Sequence, residues 1–212
     1  MRRAAIFASG LLSAWLAALP GAAQEAAPDA VPEPTLALPT FDVVSVFQAP
    51  PWTTPSALVA DSVLNRQQGK VPIGQDVFIW ELVPKGQSFS DWTELYAIFA
   101  ERPLDRPLSQ QRDEMASRYG ESCQAVQADA VVESAERLVF VLFCNAYVAD
   151  PSRGEIAIFS YTQLGETTVR NYYHKRGPAF ALDDADAWPL SRAEFEEALR
   201  LIAAFRIGPR EN

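Results

Sequence analysis

The N-terminus takes itself out of any fold this chain can form. Met1-Arg2-Arg3 is a short positive segment, and an apolar run from Ala4 to Leu19 follows, broken only by Ser9, Gly10 and Ser13. Pro20-Gly21-Ala22-Ala23 then supplies small residues. That order is the order of a secretory signal peptide, and the run is shorter than the ~20 residues a bilayer span needs. We expect cleavage after Ala23; an uncleaved N-terminal anchor is the alternative. No cysteine follows the cleavage region, which argues against a lipid anchor. The remainder is thus expected to fold outside the cytoplasm, periplasmic or secreted, with no membrane span once the signal is gone.

Charge narrows the partners. The chain has 18 basic and 27 acidic residues, a formal charge of −9. Losing Arg2 and Arg3 with the signal makes the balance two charges more negative. Such a field repels phosphate backbones and anionic lipid, so neither nucleic acid nor a lipid surface is an expected partner. Apolar residues make up 49% of the chain, enough for one real core rather than a disordered tail.

Cys123 and Cys144 are the only cysteines. In an exported protein two thiols generally form one disulfide. If Glu133-Ser134 makes a two-residue hairpin loop, Cys123 falls directly opposite Cys144. Closing a loop of about 22 residues stabilises by about 3 kcal/mol in the chain-entropy model. A redox pair or a zinc site is the alternative, but redox pairs are usually close in sequence and zinc needs more ligands.

Gln24 to Thr40 holds Pro28, Pro32, Pro34 and Pro39 and reads as an extended linker. The domain proper is expected over 41–212. Phe41 to Phe47 reads as a strand, Ala49 to Pro55 as irregular, and Ser56 to Arg66 has weak helical spacing. Val77 to Val83 is a strand ended by Pro84-Lys85-Gly86. Asp91 and Glu94 have capping-box spacing, and Trp92, Leu95, Tyr96 and Phe99 share a helical face, predicting a helix stopped by Pro103. A second helix is predicted over Leu108 to Tyr119, ended by Gly120. Leu138 to Phe143 is apolar on both faces and reads as a buried strand. Glu155 to Gln163 and Thr167 to Lys175 form a hairpin around Gly165-Glu166, and Pro178 to Ala187 a loop. Ser191 and Glu194 box a last helix with a stripe of Phe195, Ala198, Leu199, Ile202 and Phe205, ended by Gly208-Pro209. The expected class is α+β: one domain, a mainly antiparallel sheet with helices packed on it.

The stretch from Phe78 to Glu94, FIWELVPKGQSFSDWTE, resembles a segment of a family of uncharacterised exported proteins of Gram-negative bacteria. The family has a strand, a VP-x-G turn and a helix opening with tryptophan, with two well-separated cysteines downstream. In element order the chain is also similar to the layered α/β/α fold of PsbP, the extrinsic photosystem subunit. That likeness implies an accessory or binding protein, not an enzyme, and brings no functional residues with it.

No residue pattern demands a catalytic, metal or cofactor assignment. His174 is the only histidine, and no G-x-S-x-G elbow accompanies it. Asp183, Asp184 and Asp186 lack EF-hand spacing and read as a solvated acidic loop. Trp52, Trp80 and Trp92 either line a ligand or partner surface or fill the core. The expected function is a non-enzymatic accessory or binding protein with a protein or small-molecule partner in the envelope. The alternative is an exported hydrolase using His174 or the acidic loop.

Overall fold

The structure is a computed structural model that describes residues 35–211 apart from 73 and 105. The expected signal peptide and most of the expected linker lie outside the described residues. Ten strands and three short-to-medium helices make up the described chain. Seven strands form one antiparallel sheet in the order β3 (Ser62–Lys70), β4 (Asp76–Pro84), β5 (Glu94–Arg102), β9 (Thr167–Pro178), β8 (Arg153–Leu164), β7 (Arg137–Cys144), β6 (Val126–Glu133). A small sheet orders β1 (Leu36–Thr40), β2 (Val43–Phe47) and β10 (Arg206–Pro209). The helices are α1 (Leu58–Asp61), α2 (Leu108–Ser122) and α3 (Arg192–Ala203). The expected α+β domain with PsbP-like layering is therefore corrected: this is a β-rich fold whose bulk is antiparallel sheet.

The largest single correction is β5. Leu95-Tyr96-Ala97-Ile98-Phe99-Ala100 fits a helical face, yet it is also a continuous apolar run, and such runs suit a strand buried on both faces. Neighbours decide it: β5 pairs with β4 through Trp80↔Ile98 and with β9 through Ala97↔Tyr172. Leu95 to Ile98 and Ala100 are buried, a burial that a strand inside a sheet achieves on both faces. Similarly, only Leu58–Asp61 of the weak helical stretch is helical, and Ser62 onward is a polar edge strand.

Both ends of the described chain also gain strands. Leu36–Thr40, expected as linker, pairs with β2, and so does β10, where helix had been expected to continue to Gly208-Pro209. Pro39 and Pro209 sit on the two edges of this sheet, where a missing N–H costs no ladder bond. The β8–β9 hairpin turns at Gly165, whose φ of 58° a glycine adopts without strain. The Ser191–Glu194 capping box at α3 is present in full.

One face of the large sheet packs against the small sheet and α3, with Phe47, Trp80, Tyr96, Ile158, Ile202 and Phe205 at its heart. The opposite face carries α2, which lies over β6, β7 and β8. Leu108 of α2 seals a second core of Leu138, Phe140, Phe159 and Tyr161. Cys123 is the C-cap of α2 and lies at disulfide distance from Cys144, Cα atoms 5.5 Å apart. The expected register is off: Cys144 pairs with Val126, the loop is longer than two residues, and a bulge sits between Ala130 and Val132. Cys123 lies outside the ladder and reaches Cys144 from the end of the helix.

Candidate functional site

Strand periodicity gathers the site. Along β9, Tyr172, His174 and Arg176 point to the α2 face, because alternate residues share a face; Tyr173, between them, packs into the opposite core. Register then places Glu155 of β8 directly beside Arg176 and one diagonal step from His174. Diagonal neighbours are within reach of long side chains.

Glu155 is the hub, its side chain only 3% exposed. Its Oε1 accepts from the Tyr119 hydroxyl at 2.6 Å and lies 2.8 Å from His174 Nδ1. Its Oε2 accepts from Arg176 Nε at 2.9 Å and from the Tyr147 hydroxyl. Tyr119 comes from the last turns of α2. Tyr147 comes from the loop after β7, held by its bridge to Cys123. A buried carboxylate is costly unless paired and hydrogen-bonded, and this one has four partners. Burial pushes the Glu155 carboxyl up, but the pull of His174 and the donated hydrogen bonds outweigh it and hold it at about 2. Burial, then the neighbouring Glu155 charge, raises the Tyr119 and Tyr147 hydroxyls, so both stay protonated donors.

Arg176 is clamped on more than one side. Its guanidinium lies 3.5 Å from the centroid of the Trp92 ring and 5.5 Å from that of Tyr147. Trp92, Phe159 and Tyr172 surround the His174 ring at 5.0–5.9 Å between centroids. His174 Nε2 is buried without a hydrogen-bond partner among the described residues.

These groups floor a cleft of about 350 Å³ between α2 and the strands it does not cover. Leu95, Met115, Arg118, Tyr119 and Tyr172 form its walls. An adjoining hollow of about 560 Å³ shares Ser122, Tyr147 and Arg176. The size fits a small organic ligand.

The expected tryptophan surface divides. Trp80 is core, packed edge-on to Phe47 and Tyr96 on the far face. Trp52 is half-buried on that same far face, its Nε1 donating to Ser62 Oγ at 3.2 Å. Trp92 alone of the three lines the cleft. Asp183, Asp184 and Asp186 are exposed, and Asp184 caps a short turn by accepting from the Asp186 N–H. His174 is in the site, whereas Glu155, Tyr119, Tyr147 and Arg176 were missed from sequence. One signal was available: Glu155 stands at the head of the apolar run Ile156-Ala157-Ile158-Phe159, where the strand enters the core.

No family model and no curated protein matches the chain. The site has to be read from its own geometry.

Proposed function

We propose that the chain is exported and acts in the cell envelope as a non-enzymatic binding or accessory protein, with the α2–β9 cleft as its binding site. We propose too that it belongs with the exported Gram-negative proteins its Phe78–Glu94 segment resembles. The signal-like N-terminus and the cysteine pair at disulfide distance support export. Among the described residues no helix is long and apolar enough to cross a membrane.

One observation carries the binding reading: both oxygens of the buried Glu155 carboxylate are fully engaged by groups of the protein itself. A general base works best with a pKa near the operating pH. Glu155 sits near 2 and is sealed by four donors, so it stiffens a preformed surface and exchanges no proton near neutrality. A rigid floor under aromatic walls favours binding because little order is lost on association. Native mass spectrometry of protein isolated from its own envelope tests this, alongside Met115→Trp, which fills the cleft. The wild type is expected to carry a small molecule that the variant lacks. Identical spectra, with no bound species in either, would count against the reading.

A second reading, hydrolysis, draws on a specific feature. His174 Nδ1 is oriented by a carboxylate, the relation that fixes a catalytic imidazole. Its Nε2, however, has no hydroxyl within hydrogen-bond distance among the described residues. Ester hydrolysis abolished by His174→Ala but retained in Met115→Trp would favour this reading over binding.

A further inference from the structure

Building on that binding cleft, we propose a ligand class: a small organic acid with a ring-sized apolar body and a single carboxylate. The body would lie against Trp92, Leu95, Met115 and Tyr172, and the carboxylate would be held by Arg176 and Arg118. The inference comes from which hydrogen-bonding groups are already committed and which are not.

The acidic groups of the cleft are committed. Glu155 is saturated by four donors, and Glu81 accepts from Asn65 Nδ2 at 2.8 Å and hydrogen-bonds Tyr172. Glu81 is also remote from Arg176: it shares a row with Ala97 and Tyr172, four residues along β9 from Arg176. The basic groups keep open donors. Arg176 uses Nε on Glu155 and Tyr147, and its terminal nitrogens make no hydrogen bond among the described residues. Its side chain is 26% exposed, so that edge is open to a ligand. Arg118, exposed on α2, makes no ion pair or hydrogen bond among the described residues.

A ligand in this cleft therefore meets free donors and no free carboxylate. The guanidinium edge matches a carboxylate in a two-bond fork, stronger than a neutral pair. Stacking on Trp92 fixes the plane of that fork. Arg176 shares Glu155 with His174, and Arg118 has no acidic partner among the described residues, so the cleft has positive charge to spare for an added anion. In a chain of net charge −9, this donor pair is a local exception to the acidic field.

The test is calorimetric titration of the exported protein with 2-naphthoate and with 2-naphthamide, which shares its rings and shape but has no charge. We expect 2-naphthoate to bind one to one and the amide at least about tenfold more weakly. Arg118→Gln, a surface change, should weaken the acid by about tenfold and leave the amide unaltered. If acid and amide bind equally, and Met115→Trp weakens both, the acid class is overturned while the cleft stands. If neither binds at millimolar concentration, and the protein from its envelope carries nothing that Met115→Trp lacks, both fall together.

Discussion

Glu155 shows at the scale of one residue how a sheet turns a liability into a platform. A carboxylate held near 2, below the ordinary 4.5, contributes stability that is fully present above pH 4.5. That contribution is lost as the pH falls from about 4.5 toward 2, because only then does the folded state take up the proton the unfolded chain already holds. Its size is on the order of 3 kcal/mol. Urea denaturation from pH 7 to pH 2 should show that loss, and Glu155→Gln should flatten the curve over the same window. A wild-type and a Glu155→Gln profile of equal slope would remove Glu155 from its central place. Glu155→Ala should cost about 3–5 kcal/mol at pH 7, since Tyr119, Tyr147 and Arg176 lose their shared acceptor in a buried site. This residue was legible only in part. The alternation that carries Tyr172, His174 and Arg176 to one face can be read from the sequence. Which side chains on β8, on α2 and in the 145–152 loop meet them depends on register and on contacts distant in sequence, 19 residues for Glu155 with His174 and 55 for Tyr119 with His174.

The element that shapes the cleft is α2, and it is fastened at several points. Gln111 accepts from Arg170 at 3.2 Å, and Arg170 also pairs with buried Glu101. Tyr119 reaches Glu155, and Cys123 closes the end against β7. Replacing both cysteines with serine should cost about 3 kcal/mol in urea denaturation. It should also speed amide exchange over Arg118 to Ser122 more than over β7, whose ladder does not depend on the link. Uniform acceleration across both would show that the link does not hold the helix in particular. At α3, Ser191→Ala removes a cap that accepts from the Glu194 N–H and should cost about 1 kcal/mol, a melting shift of about 2–4 °C. The elements were unevenly legible, for physical reasons. α3 and the β8–β9 hairpin carry their own punctuation, a capping box and a glycine turn. β5 carries none, because its apolar run satisfies both periods and only pairing with β4 and β9 settles it. β1 and β10 are short and each carries a proline, so they do not announce themselves, and they form because β2 offers two open edges.

The described residues build a broad seven-stranded antiparallel sheet with unequal faces, and a small three-stranded sheet beside it. The face under the small sheet and α3 is filled by aromatic and aliphatic side chains, Trp80 among them. The other is roofed by α2 over only part of its width, and the polar network lies where that roof ends. The exposed edges are blunted, β3 by polar residues and β6 by its bulge, which discourages edge-to-edge pairing. The central claim is that this molecule binds where α2 stops covering the sheet, beside β9. Isotope-edited NMR with a mixed panel of small acids, amines and neutral aromatics addresses it without presuming a class. We expect hits to move the Trp92 indole N–H, the Met115 methyl and the His174 ring signals, and to leave Trp80 and Trp52 in place. Hits that move Trp52 or the edge strands, with Trp92 and Met115 unmoved, would contradict it.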